Sequence, residues 1–320
     1  MSEPLISVII PAFNAAPTLA ESLRSVQAQT FKNFEVIIVD DGSTDETADI
    51  SRHFCAQDAR FTIISQANGG PSVARNTALD VARGGWIAFQ DADDVWFPAK
   101  LDKQIELARQ HPDANLIYTN LYFWDGARDL YPGYKLHKPL PDGDMMRTLI
   151  FRDLYLTSSL LVRREALAAV GPFDPELRLS QDWDLRLRLG ENGLNARGVR
   201  EPMVRYRRWT GSNTMRRMEV ADTNIRLLEK NLTLTRREEY RKLYRRSIAN
   251  AHAVRELARA YTAPEKSTAT MAAAALRAWK CNPRLKWLRW YLLLVWPVII
   301  GGHATRRMVE RKFDHVCRGY

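Results

Sequence analysis

The chain has 320 residues, 46% of them hydrophobic and 26% charged, enough to bury a substantial core and too apolar for a disordered protein. Cys55, Cys281 and Cys317 sit far apart with no Cys-x-x-Cys or Cys/His pattern, which argues against a zinc site or a disulfide framework and fits a reducing compartment. The formal charge of +10 is unevenly spread: residues 1–200 hold 21 Lys and Arg against 27 Asp and Glu, while residues 201–320 hold 26 against 10. Such a split means that two parts of the chain face different partners.

The N-terminus offers no basic segment followed by a signal-length apolar run, so no cleaved signal peptide is expected and the chain is expected on the cytoplasmic side. Apolar strand-like runs then alternate with helical stretches: strand Leu5 to Pro11, helix Leu19 to Gln29, strand Phe34 to Asp40, helix Thr44 to Phe54, strand Phe61 to Ser65, helix Ser72 to Arg83 and strand Trp86 to Gln90. Strict β/α alternation with continuous apolar strands predicts an α/β fold with a doubly wound, mostly parallel sheet flanked by helices.

Polar residues follow each strand: Pro11-Ala12-Phe13-Asn14, Asp40-Asp41-Gly42-Ser43, Asn68-Gly69-Gly70-Pro71 leading to Arg75, and Asp91-Ala92-Asp93-Asp94. Each is ordinary turn or cap chemistry when taken alone. Ligands of open α/β sheets bind outside the carboxyl ends of the strands, so together the four clusters line one crevice. On extended backbone Asp91 and Asp93 project to one side while Asp94 turns away. Two hard carboxylates side by side suit magnesium or manganese shared with a substrate phosphate; the alternative is a solvated acidic turn ahead of the next helix.

These motifs, with Ser7 to Asn14, Gln29-Thr30-Phe31, Val39 to Asp45 and Gly69 to Asn76 in this order and spacing, closely resemble family 2 glycosyltransferases of GT-A fold over roughly the first two thirds of the chain. The resemblance implies that Pro11 and Phe13 sit at a nucleotide base, Phe13 stacking where the family usually has Tyr, with Asn14 beside them. It implies that Asp41 accepts a hydrogen bond from the base, that Arg75 reaches the base or the diphosphate, and that Asp91 holds the ribose. Asp93 would bind the divalent cation, Mn2+ or Mg2+, that bridges the diphosphate. Such a cation stabilises the charge that builds on a departing diphosphate.

Further along, residues 98–111 read as a helix with Pro98 in its first turn, and Asn115 to Asn120 as a strand. Residues 124–143 read as a long loop, assigned to acceptor contacts. Leu156 to Val162 reads as a strand, then a short helix and the turn Gly171 to Pro175. Ser180-Gln181-Asp182-Trp183-Asp184 matches the family segment that carries the catalytic base, with Asp182 at that position; the alternative is an acid that complements a helix dipole. An acceptor hydroxyl must lose its proton as it attacks opposite the leaving group, so one carboxylate must wait on that face and the product is inverted. Asp184 is the fallback base. Gln181 departs from the commoner Glu, and Trp209 stands where many relatives place a metal-binding His; indole cannot ligate a metal, which leaves water and phosphate, or Arg207 and Arg208, to make up the difference.

From Glu219 the pattern is helical: one or two Arg-rich amphipathic helices over residues 219–261 and an Ala-rich one over residues 265–280. The apolar run Trp290 to Gly302, 13 residues, is short of the roughly 20 that span a bilayer. Flanking basic residues and Trp predict that residues 284–312 lie on an anionic membrane surface, on its cytoplasmic face; a hairpin against the catalytic domain or a second copy of the chain is the alternative. No nucleic-acid motif accompanies the charge.

The expectation is an inverting, metal-dependent glycosyltransferase in residues 1–212 with a basic helical region in 213–320. It moves a sugar from a nucleotide diphosphate donor, a UDP-sugar, to a glycan or lipid-linked acceptor in envelope polysaccharide assembly. A non-catalytic nucleotide-sugar or glycan binder on the same fold is the first rival. A nucleotidyltransferase is the second, and Pro11 to Asn14 lacks the Gly-rich basic loop that class commonly shows.

Overall fold

The computed structural model describes residues 5–133, 141–208 and 213–262, with 273–274 and 276–277. The chain divides into two compact units, Met1–Met146 with Leu154–Trp209, and Arg147–Asp153 with Thr210–Tyr320.

The first unit opens with the expected alternation: β1 (Ile6–Ala12), α1 (Ala16–Gln27), β2 (Phe34–Asp40), α2 (Thr47–Gln57), β3 (Phe61–Ser65), α3 (Pro71–Val81) and β4 (Trp86–Phe89). β3, β2, β1 and β4 lie side by side and parallel. Both faces of β1 are covered: Ile6, Val8, Ile9 and Ile10 are fully buried, each worth about 1.5–3 kcal/mol relative to exposure. This explains the unbroken apolar run in the sequence. All four strands end toward the same edge, so the four polar clusters share one rim.

Beyond β4 come β5 (Val95–Trp96), α4 (Lys100–Gln110), β6 (Leu116–Trp124), β7 (Asp129–Pro132), α5 (Met146–Leu149), β8 (Leu160–Arg163), α6 (Arg164–Val170), α7 (Gln181–Glu191) and β9 (Ala196–Arg207). The sheet continues from β4 through β8, β6, β9 and β5, with β7 on β6. β8 runs antiparallel to both β4 and β6, and β9 runs parallel to β6. The sheet is therefore mixed in its second half.

Three local expectations need correction. The strand expected from Leu156 begins at Leu160, because Thr157–Ser159 forms a 3-10 turn whose Thr157 and Ser158 hydroxyls serve Asp182 and Asp94. The strand expected to end at Asn120 runs to Trp124 and turns back through β7. Asp125 Oδ1 accepts from the Ala127 and Arg128 amides and Gly126 takes φ +98°, so the first part of the expected 124–143 loop is a hairpin. β9 was not anticipated, since Arg197, Arg200, Arg205 and Arg207 break any apolar run. Arg205 and Arg207 instead pair with Asp129 and Glu21.

The second unit contains α8 (Asn213–Leu234) and α9 (Glu238–Thr262), where one or two helices were expected. Leu227, Leu228, Tyr244 and Ala253 are buried in it. Ser247 Oγ donates to the Ile150 carbonyl at 2.6 Å, tying in the Arg147–Asp153 segment. Glu238 and Glu239 in the first turn of α9 complement its dipole. No helix among the described residues is long and apolar enough to cross a membrane. Residues 134–140 of the expected loop, Trp209, most of the expected helix 265–280 and the 284–312 segment lie outside the described residues.

The entry to β4 is a close approach of backbone to backbone. A Cβ on Gly84 would meet the Ser7 amide nitrogen at 2.4 Å and the Ile6 carbonyl carbon at 2.6 Å, and the Gly84 amide donates to Ser7 Oγ. Gly84→Ala is expected to destabilise the first unit by about 1–3 kcal/mol through overpacking. Urea unfolding would read this as a lower midpoint with unchanged slope.

Candidate active site

At the rim of β1, Pro11 lies past the last residue that β4 pairs with, so on that side its missing N–H costs no ladder bond. Phe13 follows and is 51% exposed, an unsupported ring at the mouth of the crevice. Asn14 takes a left-handed φ of 47°, which Asn tolerates. Its Oδ1 accepts from the Thr44 amide at 2.9 Å and its own amide donates to Ser43 Oγ, so Asn14 fastens the loop after β1 to the loop after β2.

Asp41 is buried and its carboxylate is largely committed. Oδ1 accepts from Gln66 Nε2 at 2.7 Å and the Gly69 amide at 2.9 Å, and Oδ2 from the Gly70 amide at 2.8 Å. A carboxylate has about four acceptor positions, so one direction remains for a ligand N–H. The third loop is thus built on the second.

Arg75, on α3, is buried. Its Nη2 donates to Asp91 Oδ1 at 2.6 Å, while Nε and Nη1 are buried with no hydrogen-bond partner. Unmade bonds from a buried guanidinium are costly, and an anionic ligand would satisfy them. The same cation helps to hold the Asp182 carboxyl below its ordinary pKa, so the Arg75 charge acts on both candidate carboxylates.

Asp91, Asp93 and Asp94 are close in charge. Burial, followed by the charges of Asp91 and Asp93, pushes the Asp94 carboxyl far above the ordinary carboxylate range. Asp94 does turn inward and is fully buried, but it does so through a turn in which its amide donates to the Asp91 carbonyl, since the strand has already ended at Phe89. It accepts from Ser158 Oγ and from the Arg207 amide at 2.9 Å. Ser158 Oγ in turn accepts from the Asp91 amide, and Arg207 Nε donates to the Asp93 carbonyl at 3.0 Å. The hard oxygen donors of this turn fit a magnesium or manganese ion that takes its remaining ligands from substrate and water; among the described residues no group of three or more His, Cys, Asp or Glu forms a closed cage.

Asp182 opens α7, after Ser180 in a left-handed conformation at φ 55°. Its Oδ2 accepts from Thr157 Oγ1 at 2.9 Å and Arg186 Nη2 at 3.0 Å, and the side chain stays 21% exposed. Burial alone would push its pKa up. The charge and hydrogen bond of Arg186, the charge of Arg75 and the Thr157 bond outweigh it, and the carboxyl falls below its ordinary value. Asp184, by contrast, is fully buried on Arg188, which also donates to the carbonyls of Val170, Gly171 and Pro172. It locks the turn before α7 and is unsuited to act as a base.

Two further residues join the site. Arg207 is spent on structure: it binds Glu21 and the Asp93 carbonyl and lies 4.2 Å over the Trp124 ring. Tyr206 was passed over in the sequence because no apolar period marks β9. Burial, then the charges of Asp94, Asp91, Asp93 and Asp182, push its phenol far above the ordinary range, so the hydroxyl stays protonated within the field of these acids.

Residues 7–170 match the family described as glycosyl transferase family 2. A glycosyltransferase named for teichuronic acid biosynthesis, TuaG of Bacillus subtilis (strain 168), is 34% identical over 209 residues, which is 64% of this chain and 79% of TuaG. With two other curated relatives the match spans only 20% and 61% of their length. Among solved structures, S. aureus TarS 1–349 in complex with UDP-GlcNAc shares the fold with a TM-score of 0.65 at 18% identity, over 98% of this chain and 91% of that one. The mannosyltransferase PcManGT from Pyrobaculum calidifontis, in complex with GDP-Man and Mn2+, does so with a TM-score of 0.61 at 18% identity, over 100% of this chain and 86% of that one. With the family match covering half of its length and the motifs gathered at one rim of the sheet, the chain belongs to glycosyl transferase family 2 and has the GT-A fold.

Proposed function

We propose that the chain is an inverting, metal-dependent glycosyltransferase that takes a nucleotide diphosphate sugar, a UDP-sugar, and glycosylates a glycan or lipid-linked acceptor in cell-envelope polysaccharide assembly. The observation that carries this is Arg75: a buried cation bound to Asp91 and acting by its charge on Asp182, with its Nε and Nη1 left without a hydrogen-bond partner. A diphosphate would satisfy those groups. The names of TuaG and of the TarS complex support the envelope and UDP-sugar parts of the reading.

In this reading residues 1–212 are catalytic. Pro11, Phe13 and Asn14 receive the base, with the exposed Phe13 ring stacking on it. Asp41 accepts one base N–H, Asp91 holds the ribose and Arg75 binds the diphosphate. Asp93 would hold Mn2+ or Mg2+, which supplies Lewis-acid stabilisation to the departing diphosphate. Asp182 takes the proton of the acceptor hydroxyl, and its pairing with Arg186 keeps it ionised and aimed. A single candidate base, with no side-chain nucleophile assigned among the described residues, corresponds to one displacement with inversion. The basic residues 213–320, and 284–312 in particular, serve an anionic membrane surface on its cytoplasmic face.

Three outcomes are expected. In a panel of nucleotide sugars, one donor should release nucleoside diphosphate with manganese and not with chelator, Asp93→Ala should abolish the release, and Asp182→Asn should lower it by about 10²–10⁴-fold. Release that chelator leaves untouched would remove the metal from the mechanism. Asp41→Ala strands two backbone amides, and is expected to cost about 2–4 kcal/mol of stability in urea and to weaken nucleoside diphosphate binding measured by calorimetry.

The pH dependence follows from Asp182. Because its folded value is depressed, it is charged throughout the neutral range, and the Arg186 pair stabilises the fold above the unfolded value and is lost as pH falls through the folded one. The transfer rate should therefore show no acidic limb in the neutral range. Arg186→Gln should move that limb upward by about one pH unit or more; an unmoved profile would show that Asp182 is not the group titrating.

A further inference from the structure

β6, β7 and the end of β9 carry a linked tier of aromatic rings that leads away from the acidic crevice. Tyr206 meets Phe123 edge-on, with centroids 5.8 Å and planes 85° apart. Phe123 packs against Tyr131 at 4.9 Å with a tilt of 41°. Arg208 lies 5.4 Å over Phe123 and donates from Nη1 to the Tyr131 hydroxyl. The inner end of the tier is Tyr206, whose phenol feels the charges of Asp94, Asp91, Asp93 and Asp182. At the outer end, Tyr131 is 42% exposed and Leu130 beside it 40%.

A single exposed ring is ordinary surface. This one is held in place from two sides: it rests on Phe123 and its hydroxyl is tied to a guanidinium. β7 itself is pinned by the Arg205 pairing with Asp129. Arg208 differs from its neighbours on the same stretch. Arg205 and Arg207 each have a carboxylate, on Asp129 and Glu21, whereas Arg208 has none among the described residues. Its charge is therefore available to an anion, and guanidinium recognises carboxylate and phosphate alike.

We propose that the Phe123, Tyr131 and Arg208 tier is the acceptor-binding surface, seating one sugar ring of an anionic glycan flat on Tyr131 with its carboxylate or phosphate on Arg208. This rests on the transferase reading above. The apolar C–H face of a pyranose matches a rigid exposed ring, whose ordering costs little entropy because it is already fixed. Tyr206, packed on Phe123, then joins the acceptor ring to the neighbourhood of the acids. The hairpin sets specificity: a neutral glycan gains the stacking and forgoes the ion pair.

The test is calorimetric titration of the full chain with oligogalacturonides, which carry carboxylates, with phosphomannan oligosaccharides, which carry phosphates, and with neutral maltooligosaccharides. At least one anionic glycan should bind about tenfold or more tightly than the neutral one. Tyr131→Ala and Arg208→Gln should each weaken that binding by about tenfold, and Tyr131→Phe, which keeps the ring, should bind within about threefold of the wild type. Which anionic series binds separates carboxylate from phosphate as the recognised group. Failure of both anionic glycans to bind overturns the proposal. So does binding that Tyr131→Ala and Arg208→Gln leave unchanged, as the basic C-terminal third would produce, or equal loss in Tyr131→Phe and Tyr131→Ala. Binding is read without turnover, so release of nucleoside diphosphate by the wild type from no donor would sink the transferase reading separately.

Discussion

Asp94 is the constraint on which the site depends. A fully buried carboxylate is expensive, and this one lies close to two more acids. It is tolerated because it accepts from Ser158 and from the Arg207 amide, and those two bonds join three parts of the chain far apart in sequence. The loop after β4, the turn before β8 and the end of β9 are held at one point. Ser158 also takes the Asp91 amide, so the backbone of the ligand-facing turn is fixed by the same hydroxyl that satisfies the buried acid. Asp94 thus acts on Asp91 and Asp93 without facing the crevice.

Arginines do the matching work from the other side. Arg207 closes the turn by gripping the Asp93 carbonyl while its charge goes to Glu21. Arg186, buried in α7, aims Asp182 and sets its ionisation. Arg188 fixes the turn ahead of α7 through Asp184 and three carbonyls. Only Arg75 among these four has two buried N–H groups left over, and it is the one whose charge acts on both acids. The arrangement separates cations that hold the frame from the one with buried nitrogens left unpaired, a distinction that bond-by-bond geometry supplies beside the resemblance that had already singled out Arg75.

How much was legible follows from the same physics. The first seven elements were readable because buried parallel strands carry unbroken apolar runs and helices carry a 3.6-residue period; β2 and β3 match their expected limits. The four loop clusters were readable because the ends of parallel strands fall on one edge. β9 was hidden because its alternation is filled with arginines whose partners, Glu21 and Asp129, lie 186 and 76 residues away. Tyr206 and the β6–β7 hairpin were hidden with it. Thr157 and Ser158 read as part of a strand because nothing local shows that Asp182 and Asp94 need hydroxyl donors there. Long-range satisfaction of polar groups, rather than hydrophobic pattern, is what the sequence conceals.

The same distinction bears on Gln181, where the family resemblance leads to an expectation of Glu. Its Oε1 is buried with no hydrogen-bond partner, immediately before Asp182. A Glu there would set a second negative charge beside Asp182, and like charges in a partly buried site raise the pKa of one of the two. With Gln, the Arg186 and Arg75 charges act on Asp182 alone, in keeping with its depressed value. The orphaned amide oxygen faces a cost of its own, which an acceptor hydroxyl donating to it would relieve. In the transferase reading proposed above, Gln therefore leaves the Asp182 carboxylate ionised and sets a neutral hydrogen-bond acceptor beside it. It is compatible with catalysis on the one condition that the acceptor arrives with a hydroxyl to give, which is the condition any glycosyl acceptor already meets.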